Sequence, residues 1–326
     1  MAGLHVAIRV DAGGQIGVGH AMRCATLGAA LIAAGHRVTV VSASLPDWVA
    51  DRYRSAGAVL ERAPTPPVDV WVVDGYELGD EFTELAASGV AVIAIDDNHE
   101  LPVAAARLVV NQNLHASTDL YSDVGLDVRL LLGPSYAMIR RDVTSIDRSQ
   151  RLGDGRTVLV SFGGTDPAGL TLPVVTALVG VADVDVAVVV ALGADHPDRP
   201  HVEDLAERHA DRVRFDAGDL IDGLRSADVA AIGGGSTLWE VASLGIPAVA
   251  AVVADNQAAG TAAAQAAGFV AGVDVRDGDR SAAQVAEAVL ALLDDPERRA
   301  AMARAGRTLF DGRGAGRVVE AIESLV

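Results

Sequence analysis

A histidine follows directly on a glycine-rich turn near the start of the chain, in Asp11-Ala-Gly-Gly-Gln-Ile-Gly17-Val-Gly19-His20. Glycines at a strand-to-helix turn let the backbone approach a phosphate, and the helix start adds free N–H donors and partial positive charge. His20 falls in the first turn of the next helix, where that field favours the neutral imidazole, which can act as a base. The residues leave a second possibility open, in which His20 caps the helix or packs under the turn. Arg23, one turn on and on the same face, is placed to orient a ligand or to pair with Asp11. The glycines at 13, 14, 17 and 19 miss the Gly-x-Gly-x-x-Gly register, and Ser42 and Ser44 stand where an acidic ribose ligand is needed. A nicotinamide oxidoreductase is therefore disfavoured.

The same device recurs twice. Val158-Leu-Val-Ser161-Phe-Gly163-Gly164-Thr165-Asp166 pairs a strand with two glycines, though Asp166 before Pro167 also suits an ordinary helix start. Ile232-Gly233-Gly234-Gly235-Ser236-Thr237-Leu238-Trp239-Glu240 is sharper: three glycines bring amides close to an anion, and two hydroxyls stand at the helix start. Glu240 is placed to accept from a ribose diol, or it completes a Thr-x-x-Glu capping box with Thr237. A bare cap needs no triple glycine, which favours the ligand. Asp255-Asn256-Gln257 offers hydrogen bonds to a phosphate or a sugar, or an N-cap.

Positioning these turns requires strands that end where helices begin, and the sequence alternates in that way. Strands are expected at Leu4–Val10, Arg37–Ala43, Val70–Asp74, Val90–Ile95 and Leu108–Asn111, with helices at His20–Ala34, Pro46–Ala56 and Asp80–Ser88. The pattern lapses in the polar stretch Arg140–Gly155, then resumes with strands Thr157–Ser161, Val184–Ala191, Val213–Asp216, Val229–Ile232 and Ala248–Val253. Helices are expected near Leu170–Val179, Leu220–Ser226, Thr237–Leu244 and Gln257–Ala267, and the tail from Ser281 reads as three helical pieces broken near Asp294–Pro296 and Gly312–Gly316. Such alternation predicts an α/β protein with two doubly wound parallel sheets, residues 1–145 and 146–326, facing each other across a cleft lined by the carboxyl ends of both sheets. The last helix is expected to pack back on the N-terminal domain.

Composition narrows the partners. With 26 basic and 44 acidic residues, a net charge of −18 disfavours nucleic acid without excluding a small phosphate-bearing ligand held by local N–H groups. The single cysteine, Cys24, excludes a disulfide framework and a multi-cysteine zinc site, and reads as a small buried hydrophobe. No secretory leader is visible at Met1–His5, and the apolar run Val241–Ala254 is broken by Ser243, Gly245 and Pro247. A cytoplasmic monomer without stable membrane insertion is expected. His36, His196, His201 and His209 read as loop or solvated positions, His99 and His115 as near the cleft, and Asp96 and Asp97 as sugar ligands or as the polar end of a strand.

In this order, Gly17-Val-Gly19-His20-x-x-Arg23-Cys24, Asp74-Gly-Tyr76, Ile95-Asp96-Asp97, Asn111-Gln-Asn113, Gly133-x-x-Tyr136-Ala-x-x-Arg140, Ser161-Phe-Gly-Gly-Thr-Asp166, Gly235-Ser-Thr-Leu-Trp-Glu240 and Asp255-Asn-Gln257 form a specific set. The chain resembles the nucleotide-sugar hydrolases of pseudaminic-acid biosynthesis, within the wider GT-B group that includes the lipid II-forming N-acetylglucosamine transferase. Spore-coat polysaccharide proteins share these motifs.

The resemblance implies a GT-B-like fold of two Rossmann-type domains and inverting hydrolysis of a UDP-linked amino-deoxy sugar, without cofactor or metal. It implies His20 as the base acting on water. Gly17, Gly19, Gly163, Gly164, Gly234, Gly235, Ser236, Thr237, Glu240, Asn256 and Gln257 are expected at the nucleotide and diphosphate. Asp11, Arg23, Tyr76, Asp97 and Tyr136 are expected at the sugar. Gly75 in the Asp-x-Tyr motif and Asn98-His99-Glu100 after the Asp pair depart from the family pattern, which leaves the sugar open. Two other functions compete: a GT-B glycosyltransferase with an acceptor hydroxyl in place of water, and a non-catalytic nucleotide-sugar-binding protein. The loops Ser44–Val49 and Leu114–Tyr121 carry hardly any basic residues, which favours hydrolysis over a membrane-facing transferase.

Overall fold

The computed structural model describes residues 3–13, 17–63, 67–148, 155–163, 166–181, 185–193, 196–217, 220–276 and 281–325. The chain divides into two compact units, residues 1–140 with 312–326, and residues 141–311.

The first unit is built from β1 (His5–Val10), α1 (Gly19–Ala33), β2 (Arg37–Val41), α2 (Asp47–Ala56), β3 (Val59–Glu61), β4 (Val70–Asp74), α3 (Gly79–Ala87), β5 (Ala91–Ile95), β6 (Leu108–Asn111) and β7 (Arg129–Leu132). Its seven strands are parallel, in the order β3-β2-β1-β4-β5-β6-β7. Near-continuous β-branched runs such as Val70-Trp-Val-Val suit strands covered on both faces. On one face Val6, Ile8 and Val10 meet Leu27 and Leu31 of α1, and on the other Val73, Val92 and Val109 meet Phe82 of α3.

The second unit begins with α4 (Arg141–Thr144), then β8 (Thr157–Ser161), α5 (Thr171–Gly180), β9 (Ala187–Leu192), α6 (Arg199–Arg208), β10 (Val213–Ala217), α7 (Leu220–Ser226), β11 (Val229–Gly233), α8 (Thr237–Leu244), β12 (Ala248–Val252), α9 (Asp255–Ala266), β13 (Val270–Asp274), α10 (Ser281–Leu293) and α11 (Pro296–Leu309). Its six parallel strands run β10-β9-β8-β11-β12-β13. The final helix, α12 (Gly314–Glu323), returns to the first unit, where Val318, Val319 and Ile322 join the core beneath α1.

Three expectations need correction. The boundary lies at Arg140/Arg141 rather than at 145/146, because α4 packs on α7 and α8 of the second unit. The segment holding His196, His201 and His209 is not simply solvated: it carries α6, and His196 is buried, its Nδ1 accepting from the Asp198 N–H at 3.1 Å. Strands β3, β7 and β13 lie outside the expected set; Gly272 interrupts the pattern of β13, and a Cβ there would come within 3.0 Å of Gln265 Oε1 and 3.2 Å of Thr261 Cγ2, so α9 demands the glycine.

Candidate functional site

Strand order reverses between β1 and β4 in the first unit and between β8 and β11 in the second, and at such switch points loops diverge to leave room for a ligand. In the first unit α1 starts behind β1, while β4 ends on Asp74, which sits in register with Val10. His20, in the first turn of α1, therefore meets Asp74 across the switch point: Nδ1 lies 2.5 Å from Oδ1. The helix N-cap is Val18, with no side-chain cap, so His20 is not a cap.

Asp74 is fully buried and accepts from four groups. Arg23 clamps both oxygens, Nε to Oδ2 and Nη2 to Oδ1 at 2.7 Å each, and the Cys24 thiol lies 3.3 Å from Oδ2. Burial works to raise the carboxyl's pKa, but the adjacent Arg23 guanidinium and His20 outweigh it and hold Asp74 well below the usual carboxylate range. Asp74 is thus a fixed anion. An anion at Nδ1 fixes the tautomer with the proton on that nitrogen, which leaves Nε2 with its lone pair and no protein partner among the described residues.

Arg23 also carries the network outward. Its Nη1 contacts both oxygens of Asp97 at 2.8 Å, Asn113 Nδ2 donates to Asp97 Oδ1 at 2.6 Å, and the Tyr76 hydroxyl stands 3.5 Å from Asp97 Oδ2. The Tyr76 ring meets His20 edge-on at 4.6 Å and is 38% exposed, so it forms a wall of the site open to solvent. Asp96 turns away: its carboxylate accepts from the N–H groups of Asn98, Glu100 and Leu101, and it is the polar end of the strand.

His20, Arg23, Tyr76 and Asp97 thus come together, with Asp74 and Asn113 added by the structure. Arg23 pairs with Asp74 and Asp97 and not with Asp11. Asp11 lies elsewhere: it pairs with Arg9 at 2.7 Å and accepts from the Ala43 N–H and Ser42 Oγ, tying the loop after β2 to the end of β1. Tyr136 packs on the core beside α12. His99 lies 3.3 Å from Asp123, and His115 Nε2 lies 3.3 Å from the Asp97 carbonyl oxygen. Gly17 takes a φ of 75°, and added Cβ atoms at Gly17 and Gly19 would meet nothing within 4 Å, so open space lies above that turn.

In the second unit β8, β11 and β12 are neighbours, so the turns after them share one end of the sheet. Gly163 follows β8 with a φ of 91° and open space above it; Gly164 lies outside the described residues. The β11 turn leads into α8, whose N-cap is Ser236 with no side-chain cap. Thr237 is therefore the first helical residue, the Thr237–Glu240 capping box does not form, and Glu240 is buried in the first turn of α8. Helix α9 is likewise preceded by Ala254, so neither Asp255 nor Asn256 caps it. Asn256 is exposed, Asp255 pairs with Arg276, and Gln257 Oε1 accepts from the Val253 N–H at 3.1 Å. Among the described residues no group of three or more His, Cys, Asp or Glu side chains could hold a metal ion, and no helix is long and apolar enough to cross a membrane.

No protein-family model matches the chain. It is similar to the spore coat polysaccharide biosynthesis protein SpsG of Bacillus subtilis (strain 168), 26% identical over 200 residues, or 60% of this chain and 56% of that protein. The chain thus spans little more than half the length of that curated relative. Among solved structures it is similar to MurG of Acinetobacter baumannii (TM-score 0.69, 16% identity, 98% of this chain and 99% of that one). It is equally similar to the UDP-GlcNAc 2-epimerase from Neisseria meningitidis bound to UDP-GlcNAc (TM-score 0.69, 12% identity, 98% and 99%). With two doubly wound parallel sheets and these likenesses, the fold is GT-B-like.

Proposed function

We propose that the chain hydrolyses a UDP-linked amino-deoxy sugar at the anomeric C–O bond, with inversion, releasing UDP and the free sugar for synthesis of a nonulosonic acid or a related polysaccharide. The observation that carries this is the buried Asp74 anion 2.5 Å from His20 Nδ1, with Nε2 left as a base. Water gives its proton to Nε2 as its oxygen bonds to the anomeric carbon, and the C–O bond breaks with its electron pair leaving on the diphosphate. In the second unit the glycine turns after β8 and β11 and the uncapped start of α8 suit a diphosphate, whose charge as leaving group they stabilise, and Glu240 suits a ribose. UDP-GlcNAc bound to a protein of the same fold, and the spore-coat relative, support a UDP-sugar as substrate. Tyr76, Asp97 and Asn113 offer the sugar an aromatic wall and polar atoms.

Incubation with a panel of UDP-sugars in ¹⁸O-water, read by mass spectrometry, tests the reaction. Label in the free sugar with unlabelled UDP is the expected result. Label in a phosphate would move the attack to phosphorus and retire His20 as the anomeric base. Tight UDP binding without turnover would point to transfer onto an acceptor hydroxyl.

A further inference from the structure

One polar group beside the β11 turn has no role in the function proposed above. Thr261, on α9, is 1% exposed, and its hydroxyl is buried without a hydrogen-bond partner among the described residues. An orphaned buried hydroxyl costs free energy, so a protein that keeps one has another use for it. The hydroxyl sits against the middle of the triple glycine: a Cβ at Gly234 would lie 2.6 Å from Thr261 Oγ1 and 3.0 Å from Gln257 Cβ. Gly234 is thus held down, its N–H donating to the Ala251 carbonyl at 3.0 Å.

The next residue behaves differently. Gly235 does not take a positive φ, and a Cβ there would meet nothing within 4 Å. Neither the backbone nor the packing of this conformation requires a glycine at 235. A rotation of the Gly234–Gly235 peptide would require one, because flipping a turn peptide sends the following residue to positive φ.

We infer that the Gly233–Gly235 turn has two positions and that Thr261 is the latch for the one that holds a phosphate of a nucleoside diphosphate. On binding, the Gly234–Gly235 peptide rotates, the Gly234 carbonyl accepts from the Thr261 hydroxyl, and the Gly235 N–H turns outward to the phosphate beside the uncapped start of α8. This rests on the second unit being the nucleotide site. Thr261 acts through the turn and is a positioning residue.

Calorimetric titration with UDP, paired with melting of the ligand-free protein, tests the latch in the full chain. Thr261→Val removes the hydroxyl at nearly constant shape and is expected to weaken UDP binding about tenfold, roughly the worth of one hydrogen bond, without lowering the melting temperature. Thr261→Ser keeps the hydroxyl and is expected to bind within about threefold of wild type. Wild-type UDP affinity in Thr261→Val would overturn the latch and leave the nucleotide site standing. A lowered melting temperature in that variant, or a Thr261→Ser variant as weak as Thr261→Val, would show a packing role and overturn it too. Absence of UDP binding by wild type would overturn the nucleotide site and the latch together.

Discussion

At the scale of single residues, Asp74 decides what His20 can do. An imidazole held at Nδ1 by a fixed anion presents Nε2 in one tautomer. His20→Ala is expected to lower turnover by about 10²–10⁴-fold while leaving UDP affinity within a few-fold, since it removes the base and not the nucleotide contacts. Asp74→Asn is expected to cost a similar factor in kcat, because an amide at 74 no longer fixes the tautomer. The two substitutions differ in stability: Asp74→Asn leaves the buried Arg23 with Asp97 as its remaining carboxylate partner and should lower stability by about 1–3 kcal/mol at neutral pH. Because the Asp74 pKa is depressed in the folded state, its contribution is complete above about pH 4 and is lost as pH falls through the depressed value. Melting curves across acid pH should therefore fall more steeply for wild type than for Asp74→Asn. Parallel curves would show that Asp74 is not the ionised partner. His20, Arg23, Tyr76 and Asp97 were legible from type and motif. The role of Asp74 was not, because an aspartate closing an apolar strand reads as a strand end until the fold brings it to a residue 54 positions away.

At the scale of elements, both sites lie where strand order reverses, and glycine placement tells which turns are closed and which are open. Most strands and helices were legible, since continuous β-branched runs and helical-length alanine-rich segments alternate, whereas the short strands β3 and β7 and the glycine-broken β13 carry no such run. What alternation does not contain is strand order, which depends on which faces pack. Nor does it distinguish one glycine of a run from the next. Gly234 is required by Thr261 and Gln257 of α9, whereas Gly235 has room. Gly234→Ala is expected to destabilise the second unit by about 1–3 kcal/mol through overpacking. Gly235→Ala should melt within a degree or two of wild type (about 0.5 kcal/mol or less) yet bind UDP at least tenfold more weakly. Equal melting temperatures for the two variants, or unchanged UDP affinity in Gly235→Ala, would mean that the turn is not divided in this way.

At the scale of the whole molecule, the chain leaves the first unit at Arg140, completes the second, and returns at Gly312 to finish the first. The breaks at Asp294–Pro296 and Gly312–Gly316 made the three tail helices legible, and the apolar stripe of Val318, Val319 and Ile322 says that α12 packs on something. The residues that say where are far away in sequence: His36 Nε2 meets Glu323 at 3.0 Å, Arg129 donates to Ser324 at 2.8 Å, and Arg317 to the Ser135 carbonyl at 2.8 Å. Helix α12 enters through Gly314, where a Cβ would collide with the Ala137 carbonyl oxygen and come within 2.6 Å of the Ala137 nitrogen. Beneath it lies α1, which carries His20 and Arg23 in its first turns. Gly314→Ala should therefore loosen α12, destabilise the first unit by about 1–3 kcal/mol and lower turnover through α1. Its UDP affinity should stay within about threefold of wild type, because the turns proposed to hold the nucleotide fold in the second unit. Scanning calorimetry with and without UDP separates the two effects. A variant that melts as wild type does would mean that α12 does not brace the helix bearing the base, and one that loses UDP binding would mean that the two units do not fold independently.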